Sequence, residues 1–546
     1  MGEKAACMSP TPRAVKPLPE LSELTLAQKV AQLVQIDIPD LQLGERTREH
    51  FRRYEYNGVI LFAKNVADRA QVVQLVEELH ELCTVPPMIT VDQEGGLVDR
   101  FRFAEMSCSP GPMALAATGD SEWTERAHRI MGTEMASLGV TLDFAPCLDV
   151  NCNRANPIIG ARSFGASAAT VTEHGLAAMR GLQAGGIGAC AKHFPGHGDT
   201  DQDSHLELPL VSKSREVLEE IELAPFRAAV DAGIDALMTA HIVFPAFDDT
   251  PGLPATLSHP ILSGLLRQEM GFEGVVFTDS MAMKAVAERF GVGEAAVMAV
   301  AAGADIVLAC GPFENHIASV EALLAAVESG RLSEERIDES VQRIFDLKAR
   351  YCRMPQREVG YPILEHDRAM AAICDKSVTV LSGAEALTLN GRVLVLIPDV
   401  LPQTPLGEIN RPVSLAEVLI EQNSDESVLI EEEFYHINAS GESWRDLSTK
   451  AGGYDHVLVC LFSRSRLPDG QRLLVENLVR DGVSPTLISF SSPYLFDGLP
   501  EAQRAQILTY NYSPLSLASL ARVLLGQQKA SGQCPVPMTP GQFATS

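Results

Sequence analysis

Residues 186 to 205 read "GIGACAKHFPGHGDTDQDSH", a short run of small and apolar residues that breaks off into a polar loop. Gly186 to Phe194 has the length and makeup of a buried strand. Pro195, Gly196 and Gly198 then exclude a helix directly after it. Segments of the same form recur on both sides: "LVQIDIP" (33 to 39), "GVILFAK" (58 to 64), "PMITVDQ" (87 to 93), "VTLDFAPCLDV" (140 to 150), "DALMTAHIV" (235 to 243), "GVVFTDS" (274 to 280) and "ADIVLACG" (304 to 311). With "GIGACAKHF" they make eight. Amphipathic stretches such as "DRAQVVQLVEELHELC" (68 to 83) and "SEWTERAHRIMGTEMASLG" (121 to 139) lie between most of them, with apolar residues recurring at three and four positions. Strand and helix alternating over roughly 300 residues predict an N-terminal (β/α)8 TIM barrel.

The stretch "LSEERIDESVQRIFDLKARYC" (332 to 352) reads as a closing helix. The aperiodic "RMPQREVGYPILEHD" that follows carries two prolines and reads as a linker. Further apolar runs come at "GRVLVLIPD" (391 to 399), "HVLVCLFS" (456 to 463), "SPTLISFSSPYL" (484 to 495) and "AQILTYNY" (505 to 512), separated by helical segments. The expected organisation is a barrel at 20–352, a linker at 353–375, a C-terminal α/β layered (sandwich) domain at 376–533 and a tail at 534–546. Two polar stretches of the second domain, "SWRDLSTK" and "RSRLPDGQ", read as loops or solvated helix faces.

At 546 residues the chain exceeds what one hydrophobic core supports. Its 44 basic and 71 acidic side chains leave a formal charge of -27, which repels phosphate backbones and anionic bilayers. Nucleic acid and membrane are therefore not expected as partners. Eleven cysteines with no Cys-x-x-Cys pair suggest reduced thiols and neither a disulfide framework nor a zinc knuckle. The N-terminal "MGEKAACMSPTPRAVKPLPELSEL" has no apolar signal core, and no stretch reads as a bilayer span, so the cytoplasm is the expected location. Oligomeric state is not indicated.

In such barrels chemistry gathers where strands end at the C-terminal face. Polar residues stand at five of the expected ends: Asp92, Asp149 with Asn151, Lys192 with His193, His241, and Asp279. Any one aspartate there could equally cap a helix; five ends together point to a site. The run after Phe194 has three readings. As a calcium loop, Asp199, Asp201 and Asp203 fit positions one, three and five, but Ser204 stands where Gly is required and Leu210 where Glu is. As a metal site, His193, His197, His205 and Asp203 lack a helical His-x-x-x-His spacing. As a catalytic loop, Asp203 can orient His205, which then gives and recovers a proton, with Asp279 as a candidate nucleophile at another strand end.

The motifs "KHFPGHGDTDQDSH", "VDQEGG", "IGARSFG" and "VVFTDSMAM" together resemble the β-N-acetylglucosaminidase branch of glycoside hydrolase family 3, over roughly residues 20 to 350. "SSPYLF" and "LARVLLGQQKASGQCPV" resemble the second domain of its two-domain members. The resemblance implies a retaining mechanism, with Asp279 as nucleophile and His205, paired with Asp203, as acid/base. It implies sugar contacts from Asp92, Arg100, Arg162, Lys192 and His193, with no cofactor and no metal. The implied partner is a small carbohydrate ending in N-acetylglucosamine, of the cell-wall or chitin type. Phosphorolysis, β-glucosidase-type exo-hydrolysis and silent carbohydrate binding stand as alternatives. The family usually has Arg where this chain has Leu97, and the recycling enzymes usually read "SDDL" where this one reads "TDSM". His197 is expected to shape its loop, and His241 to line the barrel mouth without a direct role.

Overall fold

The computed structural model describes residues 14–201, 208–399, 414–437, 442–464 and 466–538. Each of the eight runs of the first half holds a strand: β1 Val34–Asp37, β2 Gly58–Leu61, β3 Met88–Val91, β4 Leu142–Asp143, β5 Gly188–Phe194, β6 Ala236–Thr239, β7 Val275–Phe277 and β8 Val307–Ala309. They pair in parallel in the order β7-β6-β5-β4-β3-β2-β1-β8. A parallel bridge between Phe277 and Ile306 joins the two ends of that series. This is a (β/α)8 barrel. Every residue in these strands is buried, because helices cover one face and neighbouring strands fill the other; that is why they read as continuous apolar runs.

The helices start where the sequence offers caps. Asp68 accepts from the Gln71 N–H at 2.9 Å to open Arg69–Leu82, and Asp120 accepts from Glu122 at 2.9 Å to open Ser121–Ser137. Ser333 opens the closing helix Glu334–Tyr351, which buries Ile337, Val341, Ile344 and Leu347 at helical spacing.

The second domain is built on a six-stranded sheet: β9 Thr379–Ser382, β10 Arg392–Pro398, β11 Leu429–Tyr435, β12 His456–Leu461, β13 Thr486–Ser489 and β14 Ala505–Leu508. Its order is β11-β10-β12-β13-β14-β9, with β9 alone antiparallel. The four expected runs are the four central strands. The two edge strands were not expected, since β11 carries Glu431 to Glu433 and β9 is half-exposed, so neither has the apolar run of a buried strand.

Three expectations for this half need correction. Residues 353–375 are not linker throughout: Ile363–Ser377 is a helix, with Ala369, Met370, Ile373 and Cys374 buried. Pro362 stands at its N-cap, where a missing N–H costs nothing. The segment 534–538 does not fray. The Ala166 N–H donates to Pro535 O at 3.3 Å, and Arg154 Nη1 donates to the carbonyls of Pro537 at 3.2 Å and Met538 at 3.1 Å, so these residues strap the second domain to the barrel. The stretch "RSRLPDGQ" leads as a loop into the helix Asp469–Arg480, but its end is not a solvated face: Gln471 is fully buried and its amide bonds both the N–H and the carbonyl of Phe462. The second domain's apolar core also takes in Leu97, Met113, Ala114, Ala117 and Ala161 from the barrel side, so the two domains meet across a continuous hydrophobic contact.

Candidate active site

The C-terminal ends of the barrel strands open into a cavity of ≈ 360 Å³. Asp92, Arg100, Arg162, Lys192, His193 and Asp279 all line it. Six of the eight residues to which the family resemblance assigns a role thus meet in one place. The other two, Asp203 and His205, lie outside the described residues. Ile60, Phe62, Met238 and Leu308 add apolar lining.

Lys192, near the end of β5, is 1% exposed, and its ammonium sits 2.6 Å from Asp92 Oδ1 and 2.6 Å from Glu94 Oε1. Arg162 forks onto the same Glu94, with Nε to Oε2 at 2.8 Å and Nη2 to Oε1 at 2.7 Å. Burial pushes the Glu94 carboxyl up, but the charges of Arg162 and Lys192 outweigh it and hold the group well below the usual carboxylate range. The two cations answer in kind: burial lowers each, and the carboxylates more than restore them, so both stay charged. Asp92 is thereby fixed with part of its carboxylate facing the cavity. Gln93 latches the next stretch, accepting from the Arg100 N–H at 2.7 Å while its amide donates to Asp99 at 2.6 Å.

His193 is oriented from behind. Its Nδ1 lies 2.6 Å from Asp149 Oδ2, and Asp149 Oδ1 accepts the backbone N–H groups of His193 at 3.1 Å and His197 at 2.7 Å. Burial opposes ionisation of Asp149, yet His193 and these donors hold it well below its ordinary value. An ionised carboxylate accepts only, so the proton on the His193 ring belongs to Nδ1 and leaves Nε2 as the second polar atom. Cys147, Asp149 and His193 present donor atoms within 4.8 Å of one another, a metal-capable set. The 2.6 Å separation of oxygen and nitrogen is, however, shorter than the ~3.3 Å that two ligands keep around a shared zinc, and is that of a hydrogen bond.

Asp279 follows β7 by two residues, and its Oδ1 accepts the Ser280 N–H at 2.6 Å. His241, two residues past β6, does not itself line the cavity: it is buried, and its Nε2–H donates to Ser280 O at 3.0 Å, bracing the turn that presents Asp279. His197 behaves as expected of a loop-shaping residue and also lines the cavity, with Nδ1 2.9 Å from Thr200 Oγ1. Burial, then neighbouring His193, pushes its pKa down to about 4, so it is neutral at pH 7. The loop after β5 is seated closely, since a Cβ at Gly198 would lie 1.7 Å from Val150 O.

Sequence reasoning passed over Glu94 and Asn156. Glu94 lies inside the quoted "VDQEGG" and could have been suspected, as a second acid beside Asp92. Asn156 gave no signal. It is buried and ties two loops together: Nδ2 donates to His197 O at 2.8 Å and Gly198 O at 3.1 Å, while Oδ1 accepts from Ile158 at 2.9 Å and Ile159 at 2.8 Å, in the turn that leads to Arg162.

Residues 25–347, more than half of the chain, match the glycosyl hydrolase family 3 N-terminal domain. This chain belongs to glycosyl hydrolase family 3. The family 3 hydrolase is 31% identical to the beta-hexosaminidase A of Pseudoalteromonas piscicida over 89% of its own length and 90% of that protein. It is 30% identical to the beta-N-acetylglucosaminidase/beta-glucosidase of Cellulomonas fimi over 90% of each chain. Among solved structures it is similar to a glycoside hydrolase family 3 beta-N-acetylglucosaminidase from Paenibacillus sp., with a TM-score of 0.87 and 39% identity, covering 94% of this chain and 99% of that one. No helix among the described residues of the family 3 hydrolase is long and apolar enough to cross a membrane.

Proposed function

We propose that this glycoside hydrolase is a retaining exo-β-N-acetylglucosaminidase that releases terminal N-acetylglucosamine from cell-wall or chitin-type fragments, with the barrel at 20–352 as its catalytic unit. The observation that carries the reading is the convergence of a strand-end carboxylate, Asp279, with a charged frame of Asp92, Lys192, Arg162 and Arg100 on one cavity. A cavity of ≈ 360 Å³ lies at the small end of the range for small-molecule sites and suits one sugar ring with its substituent. Carboxylates accept from ring hydroxyls and the cations donate to ring and acetamido oxygens, so the frame orients the bond to be cut. The similarity to enzymes named for N-acetylglucosaminides supports the choice of sugar.

In the proposed reaction the Asp279 carboxylate attacks the anomeric carbon as the bond to the leaving oxygen breaks, forming a glycosyl ester. His205, held by Asp203, gives its proton to the leaving oxygen. It then takes one from the incoming water, whose oxygen displaces Asp279. The cytoplasmic location is part of the proposal and rests on the eleven cysteines without paired spacing.

The deciding experiment is hydrolysis of nitrophenyl N-acetylglucosaminide, with and without phosphate, by the wild type, Asp279→Ala and His205→Ala. Asp279→Ala is expected to lower kcat by about 10³-fold or more, and His205→Ala to lose less on a substrate with a good leaving group. Unchanged activity in Asp279→Ala sinks the nucleophile assignment. Sugar phosphate as the main product makes the enzyme a phosphorylase, and faster cleavage of the nitrophenyl glucoside makes it a β-glucosidase.

A further inference from the structure

Arg464 belongs to the second domain, three residues past the end of β12, yet it lies against the loop that carries Arg162. It shares a small cavity with Arg162, Ile158, Leu97 and Ser491. Its backbone meets the same loop, since a Cβ at Gly160 would come within 3.0 Å of Arg464 O. The strand end that bears it is fastened by Ser491, whose Oγ donates to Ser463 O at 2.5 Å. Behind the catalytic cavity, then, stands a second guanidinium on a rigid mount.

We propose that Arg464 is a positioning residue for sugar binding: its charge, set behind the Arg162 loop from the second domain, keeps the Arg162 guanidinium turned inward onto Glu94. The physical reason is like-charge repulsion in a partly dry environment. Arg162 forks onto Glu94 and also borders the small cavity that Arg464 lines, so a guanidinium that left Glu94 for that cavity would meet a second cation there. Burial, then Arg162, pushes the Arg464 pKa down to about 10, which agrees with two guanidinium groups sensing one another. At that value Arg464 remains charged at neutral pH. The second domain on this view completes the binding pocket without touching the substrate.

The proposal rests on the reading of this cavity as an N-acetylglucosaminide site, and the test separates the two. KM and kcat for nitrophenyl N-acetylglucosaminide are measured for wild type, Arg464→Met, Arg464→Lys, and Arg464→Met combined with Leu97→Arg, which returns a cation to the same small cavity from the barrel side. Unfolding midpoints are measured alongside. Arg464→Met is expected to raise KM about tenfold with kcat within about twofold and an unchanged midpoint; Arg464→Lys and the double variant are expected to recover most of the loss. Arg464→Met with wild-type KM overturns the proposal, and so does a loss that the lysine variant shares in full, because that marks a packing role. If the double variant does not fold, the lysine variant decides. If wild type does not hydrolyse the substrate, the functional reading fails, and calorimetric binding of N-acetylglucosamine to the same variants tests the positioning role; wild type that neither cleaves nor binds overturns both.

Discussion

Glu94 is 1% exposed and pairs with two buried cations, Arg162 and Lys192. Removing one partner from a buried ion cluster leaves the rest uncompensated, which typically costs about 3–5 kcal/mol. Glu94→Gln keeps the shape and removes the charge. It is expected to destabilise the protein by about 3 kcal/mol in urea unfolding and to raise KM, as Arg162 and Lys192 lose their common anchor. A variant of wild-type stability would mean that packing alone holds the frame. Asp149→Asn makes the same kind of test for His193: the amide can donate as well as accept, so the ring's tautomer is no longer dictated. A fall of about 10²-fold in kcat/KM with a retained far-UV spectrum is the expected result.

Between elements, the active-site loops are held by backbone contacts. Gly198→Ala places a methyl group 1.7 Å from Val150 O, and the nearest atoms are all Val150 backbone, which cannot rotate aside as a side chain could. The loop must shift by more than an ångström, and displacements of that size in a site typically cost about 10²-fold in rate. The expected outcome is a folded barrel with kcat/KM down by about that factor; wild-type kinetics would show that the loop's position is immaterial. Asn156→Ala removes the tie between this loop and the one leading to Arg162, leaving buried backbone groups unpaired at about 1–3 kcal/mol. Hydrogen exchange at Ile158, Ile159 and His197 is expected to accelerate together. Independent responses would show that the two loops are not coupled through this side chain.

Across the whole molecule, burial lowers the pKa of His80, His128 and His197 to about 4 each, from an ordinary 6.5. Folding therefore excludes protons that the unfolded chain binds, so their contribution to stability is complete above pH 6.5 and is lost as pH falls from 6.5 through 4. Glu94 and Asp149, held low in the fold, add a loss of the same sign at still lower pH. Urea midpoints at pH 8, 7 and 4.5 are expected to be nearly level between the first two and then to drop; His128→Gln, at a residue that does not line the cavity, is expected to flatten part of the slope. A midpoint unchanged at pH 4.5 would mean these rings are not neutral in the fold. The domain contact belongs to this scale too: Asn511 Nδ2 donates to Pro110 O at 2.8 Å and residues 535–538 lie against the barrel, so the two cores are joined at several points.

Local order was legible wherever burial leaves a local signature. Eight apolar runs and the amphipathic stretches between them were enough for the barrel, because strands covered on both faces carry their pattern in consecutive residues. The rule that barrel chemistry sits at strand ends then picked out Asp92, Lys192, His193 and Asp279 before any geometry was known. Strands β9 and β11 escaped because edge strands carry polar residues. What the tertiary structure alone decided is which groups meet: Lys192 on Asp92 a hundred residues away, Arg162 on Glu94 across 68, His193 on Asp149 across 44, and Arg464 behind Arg162 from another domain. Nothing in a local stretch encodes a partner at that distance. Ionic pairing and tautomer are fixed by the fold, since the desolvation and fields that set them exist only once the barrel has closed.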